Sequence, residues 1–278
     1  MPADAIEKPQ PPTNSDSDAP LVSVVIPAYN EADRLPETLA KVQGYLCAQP
    51  YAYEILVVDD GSSDDTADVA ERVAAADPQM HLIRNPHHGK GATVRAGMLA
   101  GRGRYILYTD ADLSAPIEEW GKLLVWLEKG YDVAIGSREG KGAVRYNEPG
   151  YRHVMGRVFN KLVQLIALHQ FDDTQCGFKA FTRAASEDLF NSVLLYGDKA
   201  GVVKGPRVTG FDVEVLYLAL KRNYRVKEVP VRWYYSRGSK VNPLRDPLLL
   251  LRDVMRVRWN DLRGKYRKSR GDSSLRSE

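Results

Sequence analysis

The chain predicts an α/β fold, a mostly parallel sheet with helices on both faces, and three observations carry that reading. Apolar β-branched runs alternate with helix-period segments from Leu21 to about residue 136. The connections between them are short. The runs are apolar throughout rather than alternating, as strands buried on both faces must be. Leu21–Pro27 (LVSVVIP) is the first such strand, closed by proline. Glu31–Ala48 reads as a helix, with Leu35, Leu39, Val42 and Leu46 at helical spacing. Tyr53–Asp59 is a second buried strand and Ser63–Ala76 a second helix. His81–Arg84, Arg104–Thr109 and Tyr131–Gly136 continue the strands; Ala92–Ala100 and Pro116–Lys129 continue the helices. Beyond residue 140 the order loosens. A Gly-rich loop (Glu139–Gly142), a helix over Arg152–His169, a strand at Phe178–Phe181, a loop at Tyr196–Gly210, a helix at Phe211–Arg222 and a strand at Arg225–Val229 follow. Arg245–Asn260 closes as a basic amphipathic helix, in which Leu248–Leu251, Val254, Met255, Val257 and Trp259 interleave with Arg252, Arg256 and Arg258.

Composition narrows the function classes. The 278 residues are 44% hydrophobic, enough for a substantial core, and the net charge of +3 gives no global basic excess for nucleic acid. Two cysteines, Cys47 and Cys176, rule out a disulfide scaffold and fit a reducing compartment. No apolar run approaches the roughly 18 residues of a membrane span, and the first residues lack the apolar core of a signal peptide. The expectation is a cytoplasmic protein. Its first twenty residues, with five prolines, read as a disordered tail. Residues 21–244 form the main domain, 245–262 the amphipathic helix and 263–278 a disordered basic tail. Residues 221–270 carry 16 Lys and Arg against 4 Asp and Glu, whereas residues 1–220 carry 22 against 30. That end could meet an anionic surface or several phosphates, or the helix could simply pack on the domain.

Ligands of open parallel sheets sit at the carboxyl ends of the strands, and three successive ends here carry chemistry. The first ends in Pro27-Ala28-Tyr29-Asn30-Glu31, the second in Asp59-Asp60-Gly61-Ser62-Ser63-Asp64-Asp65-Thr66, the fourth in Thr109-Asp110-Ala111-Asp112-Leu113-Ser114. Each alone reads equally as a turn or a capped helix. Together they suggest a nucleotide site with a divalent cation, because carboxylates meet phosphates only through a hard cation that takes oxygens from both. A dinucleotide fold would need G-x-G-x-x-G after the first strand, and PAYNEAD has no glycine. His88-Gly89-Lys90-Gly91 lacks the spacing of a P-loop. His87 and His88 have no ligand-spaced partner and read as surface loop.

These blocks resemble a family 2 glycosyltransferase with the GT-A fold. VSVVIPAYNEADRLPETL, EILVVDDGSSDDT, HHGKGATVRAGMLAGRGRYILYTDADLS and DVAIGSR occur in that family's order. DTQCGFK (173–179), GFDVE (210–214), EVPVRW (228–233) and GSKV (238–241) bring it nearest to the dolichyl-phosphate β-glucosyltransferase-like branch, close to the polyprenyl-phosphate mannosyltransferases. The resemblance covers roughly residues 21–258. It implies that Pro27, Tyr29, Glu31 and Asp60 hold the nucleoside, with Lys90, Asp110 and Ala111 near the nucleotide. It implies that Asp110 and Asp112 bind Mg²⁺ or Mn²⁺ and the diphosphate, with Gly238, Ser239 and Lys240 adding positive charge. Arg138, and less directly Arg152, would face an acceptor phosphate, as bidentate guanidinium recognition suits. Gln175 would contact the sugar or orient a loop, and Cys176 would be a small buried residue. Asp212 is placed as a general base, or else as a sugar contact or helix N-cap.

The implied activity is metal-dependent, inverting transfer of a hexose, glucose from UDP-glucose, to a polyprenyl or dolichyl phosphate. Peripheral contact with the cytoplasmic membrane face would go with it, and homo-oligomerisation is left open. A soluble acceptor, or a non-catalytic nucleotide-sugar-binding protein, are the alternatives. Ser114 stands where the mannosyltransferase branch commonly has Gln, which weakens the case for a third metal ligand. The connector 196–210 is longer than the relatives' and reads as an acceptor-side lid.

Overall fold

The computed structural model describes residues 19–150, 166–196, 210–236 and 245–266, with scattered residues between 156 and 164. β1 (Val22–Ala28), β2 (Tyr53–Asp59), β3 (Met80–Arg84), β4 (Tyr105–Thr109) and β5 (Val133–Ser137) alternate with α1 (Leu35–Cys47), α2 (Thr66–Ala76), α3 (Lys90–Ala100) and α4 (Trp120–Glu128). β6 (Val144–Tyr146), β7 (Phe178–Thr182), α5 (Arg183–Phe190), α6 (Phe211–Lys221), β8 (Val226–Pro230), β9 (Arg232–Tyr234) and α7 (Arg245–Leu262) follow. Seven strands form one sheet in the order β3-β2-β1-β4-β7-β5-β8, and β6 pairs with β9 in a separate two-stranded ribbon.

The expected parallel sheet needs one amendment. β7 runs antiparallel between β4 and β5, while β1, β2, β3, β4, β5 and β8 keep one direction. Each central strand is buried on both faces, so two cores exist. On one face Leu35, Leu39, Val42 and Leu46 of α1 and Trp120, Leu123 and Leu127 of α4 meet Val24, Ile26, Val57 and Leu107. On the other, α3, α5, α6 and α7 pack on Val25, Val58, Ile106 and Ile135.

The start of α1 differs from expectation for a physical reason. α1 begins at Leu35 rather than Glu31, because Asn30 adopts φ 52° and the backbone N–H groups of Asn30 and Glu31 donate to Ser62 Oγ and Thr66 Oγ1. Those bonds tie the first two strand-end loops together. α5 and the β6–β9 ribbon were not expected at all. α5 starts at Thr182, whose side chain accepts from Ala185 N as an N-cap.

The helix over 152–169 falls partly outside the described residues, as does most of the 196–210 connector. Both tails also lie outside, apart from residues 19–20 and 263–266.

Candidate active site

The turn after β4 brings two carboxylates to one sheet edge. Leu113 takes φ 44°, its N–H donates to Asp110 O at 3.0 Å, and Ser114 N donates to Asp112 Oδ1 at 3.0 Å. Thr38 Oγ1 of α1 donates to Ala111 O at 2.6 Å, so Ala111 pins the turn through its backbone. The Asp110 carboxylate lies against Gly177; a Cβ there would come within 2.0 Å of Oδ2, so any larger residue would have to push that carboxylate aside. Lys90, in the first turn of α3, places its ammonium 2.5 Å from Asp110 Oδ1. Burial works against the charged lysine, but Asp110, Asp212 and Asp112 outweigh it and hold its pKa above the ordinary value. Burial, then repulsion from Asp110, pushes the Asp112 carboxyl up.

Two crowded carboxylates are a fitting donor set for a hard divalent ion, which would relieve their repulsion. No third His, Cys, Asp or Glu joins them among the described residues. A bound diphosphate or water could complete the coordination of such an ion.

The nucleoside side is built differently from expectation. The Tyr29 and His87 rings stack at 4.0 Å and 5°. His87 is therefore not surface loop: its side chain is 13% exposed, and its Nδ1 lies 2.8 Å from Asp60 Oδ2. Asp60 also accepts from His88 N at 2.9 Å and Gly89 N at 3.0 Å, and it is 3% exposed. Its immediate partners are thus the 87–89 loop, which it folds down onto Tyr29 ahead of Lys90. Pro27 and Glu31 are half-buried at the same edge, with Glu31 paired to Arg34 at 3.1 Å.

On the far side of the carboxylate turn, Asp173 takes Arg138 Nε at 2.7 Å and Nη2 at 2.8 Å. Arg138 is therefore already paired. Two of its five N–H donors are spent, and Asp173 fixes how the rest are presented. Arg138 outweighs the burial of Asp173 and holds that carboxyl well below the usual range. Gln175 N donates to Asp173 Oδ1 at 3.0 Å, while its side chain reaches Thr174 Oγ1 at 3.2 Å. Burial, with Asp173 nearby, pushes the Cys176 thiol up to about 12, so it is inert as a nucleophile at neutral pH.

Asp212 is not an N-cap: Gly210 holds that position and Asp212 sits in the first turn of α6. Its Oδ1 accepts from Lys179 Nζ at 2.6 Å and from the Tyr108 hydroxyl, and Lys179 also reaches Tyr108 Oη at 3.0 Å. Lys179 is 1% exposed, a lysine buried in β7 to face one carboxylate. Sequence reasoning placed His87 on the surface and gave Lys179 no role. The sole available signal was a lysine inside the apolar run of β7. Arg152, Gly238, Ser239 and Lys240 lie outside the described residues.

The family model for glycosyl transferase family 2 matches residues 23–190. The chain belongs to that family. It is 36% identical to a dolichyl-phosphate beta-glucosyltransferase of Drosophila melanogaster, over 92% of this chain and 80% of that one. The human protein of the same name is 32% identical, with the same coverage on both sides. Among solved structures, glucosyl-3-phosphoglycerate synthase from Mycobacterium tuberculosis, with Mn²⁺, UDP and glucosyl-3-phosphoglycerate, superimposes with a TM-score of 0.58. It is 19% identical, over 91% of this chain and 86% of that one, which supports the glycosyltransferase fold.

Proposed function

We propose that this family 2 enzyme transfers glucose from UDP-glucose, with Mg²⁺ or Mn²⁺, to a polyprenyl or dolichyl phosphate. The observation that carries the reading is the Asp110–Asp112 turn with the Lys90 ammonium beside it. The names of the relatives supply the sugar and the acceptor class.

Asp110 and Asp112 would hold the divalent ion, whose charge offsets the negative charge developing on the leaving diphosphate. Lys90 adds positive charge at the same turn. The Tyr29–His87 stack offers aromatic surface for a base, and Arg138, oriented by Asp173, presents its remaining donors to an acceptor phosphate. A phosphate monoester has its second pKa near ~6 and is mostly dianionic at neutral pH, so no proton need be removed from it. Asp212 suits that chemistry. Its Oδ1 already accepts from a lysine ammonium and a tyrosine hydroxyl, so its assigned part is to accept from a sugar hydroxyl rather than to serve as the base.

Membrane contact belongs to the same proposal. α7 turns Leu250, Val254 and Val257 into the core, which settles where one apolar side goes. A second side exposes Leu248, Met255, Trp259 and Leu262 next to exposed Arg252, Arg256 and Arg263. That pattern fits a helix lying on an anionic bilayer. No helix among the described residues is long and apolar enough to cross one.

The deciding assay presents UDP-glucose, GDP-glucose and GDP-mannose, each with and without polyprenyl phosphate, in Mn²⁺, Mg²⁺ or EDTA. Glucosyl transfer to the lipid from the UDP donor, abolished by EDTA, is expected. Transfer only to a soluble phosphorylated acceptor, or full turnover in EDTA, overturns it.

A further inference from the structure

The buried side of α7 carries one carboxylate among its apolar residues. Asp253 is 3% exposed and sits with buried Leu250, Val254 and Val257. Its Oδ2 accepts from Gly210 N at 3.1 Å and from the Tyr196 hydroxyl. A buried carboxylate is costly unless hydrogen bonds offset its lost hydration. Here both bonds lead to the active site.

Tyr196 leads to Lys90. A Cβ on Gly91 would lie 2.7 Å from Tyr196 Cγ and 3.0 Å from Phe211 Cβ, so the first turn of α3 rests directly on those two side chains. Lys90 is the residue before Gly91, and its ammonium is the one beside Asp110. Gly210 leads to Asp212. It is the N-cap of α6, and α7 lies so close that a Cβ on it would come 2.7 Å from Asp253 Cβ. Phe211 then packs on Tyr108, ring centres 5.8 Å apart, and the Tyr108 hydroxyl donates to Asp212. Lys90 and Asp212 also feel one another. Burial works against the Lys90 charge, and after Asp110 it is Asp212 that does most to sustain it. One carboxylate on α7 thus holds, from behind, the two elements that present this pair of opposite charges.

We propose that Asp253 is a positioning residue for glycosyl transfer, setting the spacing of Lys90 and Asp212 through Tyr196 and Gly210. This rests on the reading above, in which Lys90 adds positive charge at the leaving diphosphate and Asp212 accepts from a sugar hydroxyl. Asp253 lies beyond residues 23–190, which the family model matches, so α7 adds this support from outside the matched span. Misplacing a reacting group by about 1 Å can cost about 10²-fold in rate, so a bond this far from the chemistry can govern it.

The test measures kcat for transfer to polyprenyl phosphate per UDP-binding site, the sites being counted by calorimetry with UDP and Mn²⁺ so that unfolded protein is excluded. Asp253→Ala releases both Tyr196 and Gly210, and kcat per site should fall about 10- to 100-fold with a smaller change in donor KM. Tyr196→Phe removes only the hydroxyl and should reproduce part of that loss. Tyr196→Phe/Asp253→Ala should be no slower than Asp253→Ala alone, because the two changes break the same bond. Asp253→Asn keeps an oxygen that can accept from both donors and should retain most of the parental kcat. Parental kcat per site in Asp253→Ala overturns the proposal, as does parental kcat in Tyr196→Phe should the alanine variant fail to fold. Additive losses in the double variant, or an asparagine variant as slow as the alanine one, overturn it too. If the parent transfers from no donor to any acceptor, the functional reading itself has failed. A working parent matched by its variants sinks only the role of Asp253.

Discussion

Lys179 and Asp212 test the chemistry at single-residue scale, because neither buried charge is tolerable without the other. Removing one partner of a buried pair typically costs about 3–5 kcal/mol, whereas replacing both can be near neutral. Lys179→Met should therefore destabilise strongly in urea unfolding, and Lys179→Met/Asp212→Asn should regain part of that loss without regaining activity. Strictly additive losses would mean the two side chains are not coupled. In transfer assays Asp212→Asn should lose less than Asp112→Ala, since general-base catalysis worth roughly 10²–10⁴-fold is not required of it. Asp173 carries a pH signature as well. Its folded carboxyl is held below the ordinary value, so its stabilising share is present above about pH 4 and is lost as the pH falls toward its folded pKa. Asp173→Asn should be less stable than the parent at pH 7 by ~3 kcal/mol, and the gap should narrow on acidification below about pH 4. A gap independent of pH would remove the Arg138 pairing from the account.

At the scale of elements, glycine places the carboxylates. Gly177→Ala would drive a methyl into Asp110, yet Gly177 lies in a turn at the start of β7 rather than inside the core. The expected result is a folded protein with metal-dependent transfer reduced at least tenfold, and normal activity would show that Asp110 can move aside. Elements also explain which parts of the molecule the sequence revealed. β1, β2, β4 and β5 are continuous apolar runs with turn residues at their ends, and these are local signals. The antiparallel insertion of β7 between β4 and β5 is a long-range pairing that Phe178–Phe181 does not encode alone. The ribbon strands have three residues each, too short for periodicity to register. The Asp110–Asp112 turn was legible because both acids lie three residues or fewer past one strand. The stacking of His87 on Tyr29 and the pairing of buried Lys179 with Asp212 were not, since each joins residues far apart in the sequence.

For the whole molecule, the charge asymmetry becomes an orientation. Residues 1–220 are net acidic and residues 221–270 strongly basic, and α7 lies in the basic part with one apolar side packed and another open. Near an anionic bilayer the acidic body would be repelled while the arginines of α7 are drawn in, each worth about 1 kcal/mol within a Debye length. Binding should therefore be strong to anionic vesicles at low salt, weaken as salt rises and be slight for neutral vesicles. Met255→Asp/Trp259→Asp should reduce binding and raise the KM for a long-chain acceptor in vesicles, leaving short soluble acceptors unaffected. Leu250→Asp is the wrong probe, because Leu250 is 6% exposed and its loss would loosen α7 from the core. Vesicle co-sedimentation across a salt series is the measurement. Equal binding to neutral and anionic vesicles would leave the basic helix without an electrostatic role. No binding at low salt would mean that the open side of α7 meets something other than a bilayer.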